Sequence, residues 1–459
     1  MKFKVPHTYV LLMGLILVAA MSTWIIPTGR YNLIQQGNRE VIDPESYHRV
    51  EAKPASITDI LMAFPKGLIE VADIVFYIFI IGGAFGVLNQ TGTIQASINF
   101  VVRRIGSKEV LIVPLLTLVF AIGGGSIGIA EETLVFLPAL VLLARSLGYD
   151  SLVAGGIALV GANAGFASAF MNPFTVGVAQ GIVGLPLFSG IKFRAIVWAI
   201  ITIVTIIWLT RYATKVKAKP TISLMYEFDQ QRESVEGQDK IERFTKKHLA
   251  VLIVSILALG LLAVGAMRWQ WGILQLSALF FGLAVVAGPL GGLTLDQTAR
   301  SFIKGAADIT YAALVVGLAR GILLVLRDAY VIDTITHAMA SAVQHWPSQI
   351  SVLGIYFMQN CLNFIVPSGS GQAAVSMPVL APLGDLLGIT RQTNVLCYQF
   401  GNGFTNIFTP TQGYFMAGLG ILQIPWSKWV RWLIPLLLIW LAIGVGAVLI
   451  AHAIHWGPF

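Results

Sequence analysis

Glu131 and Glu132 are adjacent acids inside an otherwise apolar block of the chain. An ionised carboxylate in such a setting costs at least ~2.5–3.5 kcal/mol on membrane-insertion scales, so its presence asks for a reason. Two kinds of chemistry fit. A carboxyl in a gated, dehydrated cavity can take up and release a proton, or it can stay ionised against a cation such as sodium, an ammonium or a guanidinium. Adjacent residues on a helix point about 100° apart, so a transport role falls to one of the two. The competing explanation is two acids in the first turn of a helix, facing its positive end.

A second set of residues is polar but uncharged. Asn163, Asn172 and Thr175 form one run, and Asn402, Thr405, Asn406, Thr409 and Thr411 form another. Ser126, Ser368 and Ser370 lie in glycine-rich strings before each run. Pro173 and Pro410 interrupt the two runs, and each removes a backbone donor and frees a carbonyl. Side chains of this type often do no more than satisfy such freed backbone. Two sets converging at related places point instead to a binding site, because unwound carbonyls coordinate cations and half-helix N-termini attract anions. The glycines Gly125, Gly369 and Gly371 fit tight turns and close backbone approach better than contact with a ligand.

Catalytic signatures are absent. There is no HExxH, P-loop or Rossmann fingerprint, and Ser370 has no His or Asp placed with it in a hydrolase motif. Cys361 and Cys397 have no CxxC partner, and His337 and His345 have no metal-ligand spacing. The expectation is a protein that is not an enzyme, with no cofactor and no structural metal. Without a nucleotide-binding domain, ATP is not expected as a direct energy source.

The elements that must hold these residues are membrane spans. The chain has 459 residues, 56% hydrophobic and only 11% charged, with a mean hydropathy of +0.78. A helical span needs roughly 20 apolar residues, and the sequence supplies about eleven such stretches. The net charge of +8 sits in the loops, which is the positive-inside pattern of a protein in a lipid bilayer and not a nucleic-acid surface. Residues 1–58 read as a first span with its N-terminus in the cytoplasm, followed by an extracytoplasmic loop. Residues 59–211 read as a first repeat with a re-entrant hairpin near 123–147, and 212–247 as a basic cytoplasmic linker. Residues 248–459 read as a second repeat with a hairpin near 366–387, ending outside the cytoplasm.

The repeats match in order at a separation of about 240 residues. Phe64, Lys66 and Gly67 correspond to Phe302, Lys304 and Gly305; Pro138 to Pro378; Leu147 and Gly148 to Leu387 and Gly388; Gly165 and Phe166 to Gly403 and Phe404; Asn172 and Pro173 to Thr409 and Pro410. An odd number of crossings in each half makes the repeats inverted, and inverted repeats with broken helices point to a transporter whose site lies near the bilayer midplane.

The motifs Gly128-Ile129-Ala130-Glu131-Glu132-Thr133, Gly165-Phe166 through Asn172-Pro173-Phe174-Thr175, and Thr409-Pro410-Thr411-Gln412-Gly413 resemble the YfcC-like branch of the anaerobic C4-dicarboxylate carrier (DcuC-type) family, within the ion-transporter superfamily. The resemblance covers nearly the whole chain. It implies an all-α polytopic membrane protein, an inverted repeat with two re-entrant hairpins and broken helices, and a homodimer whose protomers pair a scaffold with an elevator-type transport domain. By correspondence the hairpin tips are Gly123–Gly128 and Pro367–Gly371, and the unwound breaks are Asn163–Thr175 and Asn402–Thr411. The Ser-Asn-Thr signature of sodium–dicarboxylate symporters is intact at neither tip.

The expected function is secondary active transport, as symporter or antiporter, of a small carboxylate-bearing metabolite, dicarboxylate or amino acid, across the bacterial cytoplasmic (inner) membrane. A basic amino acid (arginine/ornithine-type) antiporter is the alternative, and a passive channel the alternative of a different class. The coupling ion is left open between a proton and sodium, with sodium assigned to Asn163 and Asn402. The topology is directly testable: a cysteine at Lys219 should be labelled from the cytoplasm, and one appended after Phe459 from outside. Labelling of both from the same side would break the inverted-repeat reading.

Overall fold

The computed structural model describes residues 8–36, 39–97, 100, 110–230, 244–269 and 271–457. α1 (Thr8–Ile25) is followed by two small antiparallel ladders and not by an irregular loop: β1 (Gly29–Arg30) pairs with β4 (His48–Arg49), enclosing β2 (Leu33–Gln36) and β3 (Arg39–Ile42), with Leu33 opposite Ile42. Apart from these short strands, the described elements are helices, in keeping with the all-α expectation. The short alternation around Gly37 and Asn38 carries a hairpin signal in the sequence.

α2 (Ile57–Glu70) is amphipathic and starts from a capping box between Ser56 and Asp59; α3 (Ala72–Gln90) is largely apolar between Asp73 at its start and Asn89 at its end. The first hairpin consists of α4 (Ile112–Ser126), a 3₁₀ turn over Glu131–Phe136, and α5 (Leu137–Ser146). α6 (Ser151–Ala167) contains a π turn at Gly156–Val160. After the break, a second π turn at Pro173–Gly177 leads into α7 (Val178–Ile182) and the long α8 (Ile191–Ala218). π turns inside helices often mark functional sites.

α9 (Lys246–Arg268) leads from the linker to α10 (Ile273–Leu290). The amphipathic α11 (Leu295–Asp308) again begins with a capping box, between Thr294 and Gln297, and is followed by α12 (Thr310–Asp328) and the short α13 (Ile332–Val343). α14 (Ser348–Ile365) and α15 (Gly369–Leu386) form the second hairpin. α16 (Arg391–Thr405) and α17 (Gly413–Leu422) flank the second break, and α18 (Trp426–Ala453) closes the chain.

Packing across the halves is reciprocal. α1 and α2 lie on α12, while α10 and α11 lie on α3. Glycines permit both close crossings: a methyl group on Gly67 would overlap the Gly317 carbonyl, and one on Gly305 would overlap that of Gly82. Glu70 adds charge pairing at the first crossing, accepting from Arg320 and, through both oxygens at 2.9 Å, from Arg327. α4 lies along α6 and α14 along α16, and α6 crosses α16.

Three sequence expectations need adjustment. About eleven spans were expected, whereas among the described residues six helices are long and apolar enough to cross a membrane. Much of the remaining apolar sequence is spent in hairpin arms and half-helices. The glycines of the first expected tip, Gly123–Gly125, are helical, because α4 must approach the backbone of α6; the turn itself spans 127–130, where Gly128 takes φ 75°. The unwound breaks are narrower than Asn163–Thr175 and Asn402–Thr411: Asn163 and Asn402 are helical, and the non-helical stretches are 168–172 and 406–412.

Gly67→Val and Gly305→Val should each destabilise the protein by about 1–3 kcal/mol, the usual penalty of overpacking. Gly14→Val and Gly260→Val, which meet nothing within 4 Å, should leave the thermal transition in detergent in place. Equal effects at all four positions would mean that the crossings do not depend on backbone contact.

Candidate functional site

The first hairpin docks on the first break. Phe170 N and Met171 N both donate to Gly125 O at 3.2 Å. Asn172, fully buried, caps the π turn by accepting from Phe174 N at 2.8 Å and packs against Gly128 at the hairpin turn. The second hairpin reaches the same place from the other side. A Cβ on Gly369 would lie 2.7 Å from Thr175 Cγ2 and 3.7 Å from Asn402 Oδ1, so the start of α15, the first π turn and α16 meet there.

A connected polar network fills the second break. Asn402 donates to Asn363 Oδ1 and Gln372 Oε1, both at 3.1 Å. Asn363 donates to Thr405 Oγ1 at 2.8 Å and Asn406 Oδ1 at 3.0 Å, and Gln412 also donates to Asn406 Oδ1. Thr409 and Thr411 hydroxyls are 2.9 Å apart, and Thr411 donates to Phe364 O. Gln372 donates to Gln359 Oε1 at 2.7 Å, and Gln359 donates to Ser376. Where the broken helices cross, Asn163 donates to Gly403 O at 2.9 Å and Gln399 to Phe166 O.

Four buried oxygens in this region carry no hydrogen-bond partner: Asn163 Oδ1, Asn402 Oδ1, Gln399 Oε1 and Thr175 Oγ1. Neutral oxygen donors of this kind suit a hard monovalent cation, and leaving them unpaired costs about 1–3 kcal/mol each.

Glu131 and Glu132 open the 3₁₀ turn of the first hairpin, which packs on α3 and on α17 beyond the second break. Glu132 accepts from Ala130 N at 3.0 Å. Tyr77 of α3 and Tyr414 of α17 lie within electrostatic range of both carboxyls, and Asp73 within range of Glu131. Tyr77 is fully buried and its hydroxyl has no partner. Tyr414 follows Gln412 by two residues, so the acids adjoin the second break through the start of α17. An apolar crevice of about 500 Å³ separates α1 and α12 from Phe408, Pro410 and Thr411 of the same break.

The structure thus brings together Asn163, Asn172, Thr175, Asn402, Thr405, Asn406, Thr409 and Thr411, with Glu131 and Glu132 adjoining. The three serines take no part in the hydrogen bonds of this network. Ser126 donates back to Ile122 O within its helix, Ser368 caps α15 by accepting from Gly371 N, and Ser370 is exposed. Sequence reasoning missed Gln359, Asn363, Gln372, Gln399 and Gln412. Their signal was available in part: Gln359 and Asn363 are one helical turn apart in an apolar stretch, where amides are out of place unless they face the protein interior.

Asn172→Ala and Asn402→Ala should each reduce saturable uptake by at least ~10-fold, the kinetic equivalent of one lost buried hydrogen bond. Ser126→Ala and Ser370→Ala should stay within about twofold of wild type. Proteoliposomes at matched protein content, given whichever carboxylate or amino acid the wild type accumulates, provide the measurement. Normal uptake by Asn402→Ala would move the site elsewhere.

Residues 5–453 match the family described as "C4-dicarboxylate anaerobic carrier". A protein of Escherichia coli K12 named "Putative basic amino acid antiporter YfcC" is 34% identical over 474 residues, covering 94% of this chain and 93% of that one. A protein of Haemophilus influenzae is 29% identical, with 96% of each chain covered. Among solved structures, the YdaH transporter of Alcanivorax borkumensis aligns over 99% of this chain and 100% of its own at a TM-score of 0.42 and 15% identity. With its family matched across nearly its whole length, this multi-pass membrane protein belongs to the C4-dicarboxylate anaerobic carrier family of transporters.

Proposed function

We propose that this chain is a secondary active transporter of a small carboxylate-bearing metabolite, specifically an amino acid with a cationic side chain. One observation carries the choice of substrate. Glu131 and Glu132 lie within electrostatic range of Tyr414, two residues beyond Gln412 of the buried amide cluster, and among the described residues neither forms an ion pair with a Lys, Arg or His. Two acids without cationic partners favour a guanidinium or ammonium and repel the second carboxylate of a dicarboxylate. The amides and the start of α15 suit the zwitterionic end of an amino acid. The name carried by the Escherichia coli relative agrees with this choice.

The mechanism follows from the reciprocal packing. Pairing α1 with α10, α2 with α11, α3 with α12, the two hairpins, the two broken helices and α8 with α18 accounts for every long helix except α9. Each half then makes four passes: in the first, α1, α3, the broken α6–α7 and α8. This replaces the odd number read from sequence, and α9 becomes the extra pass that inverts the second half. α1–α3 with α10–α12 form the scaffold, while the hairpins, broken helices, α8 and α18 form the body that moves in an elevator-type cycle. The apolar crevice lies between these two groups, where sliding must occur. The homodimer, the cytoplasmic N-terminus and the extracytoplasmic C-terminus belong to the same proposal. So does sodium or a proton as coupling ion, with sodium at the oxygens of Asn163, Asn402, Gln399 and Thr175.

Glu131→Gln and Glu132→Gln in proteoliposomes test the substrate assignment. At least one should weaken arginine uptake and arginine counterflow by ~10-fold or more, the loss expected when a desolvated charge pair is removed. Loss of gradient-driven uptake with counterflow retained would make the acid a proton carrier instead. Unaltered arginine transport in both variants would return the pair to a helix-end role.

A further inference from the structure

Arg194 lies in the first turn of α8 and is 1% exposed. A guanidinium does not surrender its proton inside a protein, and a buried charge normally has a counter-charge. Arg194 has none among the described residues. Its Nη2 donates to Gln392 Oε1 at 3.5 Å, and its Nε and Nη1 have no acceptor. Its flat face lies 5.2 Å from the Trp456 ring. Gln392 has little to spare: its Oε1 also accepts from Gln180 at 3.3 Å, and its Nε2 donates to Ser189. Asp385, at the end of α15 before Gln392 in the chain, is held by Arg391 at 2.8 Å.

The backbone at this place carries the same sign. α8 is 28 residues long, starts at Gly190 with no side-chain cap, and has no acid in its first turn. Its first N–H groups and its dipole present positive charge, and Trp456 packs against both Gly190 and Arg194. We propose that Arg194, with the N-terminus of α8, binds a small inorganic anion of halide size. Because the Arg194 side chain is buried, the ion it takes is small, and it locks α8, α16 and the C-terminal segment around Trp456 together.

Thermal unfolding of the purified protein in detergent tests this, with chloride exchanged for gluconate at constant ionic strength. Chloride should raise the wild-type Tm by at least ~3 °C, bromide should substitute, and dialysis against radioactive chloride should retain about one ion per chain. Arg194→Gln should abolish both signals. Gln392→Glu places a carboxylate on the guanidinium, so it should keep a high Tm in gluconate and lose the chloride response even if Arg194→Gln does not fold. An identical wild-type Tm in the two salts with no ion retained would overturn the proposal. So would an undiminished chloride response in Gln392→Glu, or stabilisation through Arg194 by carboxylates but not by chloride.

Discussion

Backbone exposed inside an apolar slab must find partners, and the rest of this structure depends on how that demand is met. The helices break at 168–172 and 406–412. In water the freed groups would be solvated; in a bilayer each unsatisfied one costs several kcal/mol. The protein answers with helical hairpins whose ends reach the breaks, bringing carbonyls, glycines and amides to the places where the ladder stops. The candidate site follows from the same arrangement, because the groups that satisfy backbone at a break gather there.

The two breaks are satisfied differently. At the first, main chain does most of the work, with Gly125 O accepting two N–H groups and Asn172 capping its own turn. At the second, side chains do it, through the network of Asn363, Asn402, Asn406 and Gln412. The polar load falls on one hairpin and the acidic pair on the other. Two breaks reached alike by hairpins therefore differ in their chemistry.

Much of this was legible in the sequence. Pro173, Pro410 and their polar neighbours announce breaks because few other roles explain them in apolar surroundings. Glu131 and Glu132 stand out for the same reason. The amides of α14 and α15 were harder to see, since Gln359 and Gln372 gain meaning only when two helices separated by a turn face each other. Glycine-rich Gly123–Gly125 was misread as a turn because glycine serves turns and close helix crossings equally well, and only the neighbouring α6 decides between them. Arg194 gave no signal at all: one arginine at the end of an apolar run normally reaches water.

The interlocked glycine crossings of α2 on α12 and α11 on α3 bear on how the chain is made. Neither half can complete its own scaffold, since each amphipathic helix rests on a partner encoded in the other half. During synthesis α3 is finished roughly two hundred residues before α11 emerges, and at ~5–20 residues per second that wait lasts many seconds. The early segment must persist in the bilayer with a glycine groove facing lipid. Assembly is thus a late, long-range event, and a nascent chain halted before α11 would be the form most exposed to membrane quality control.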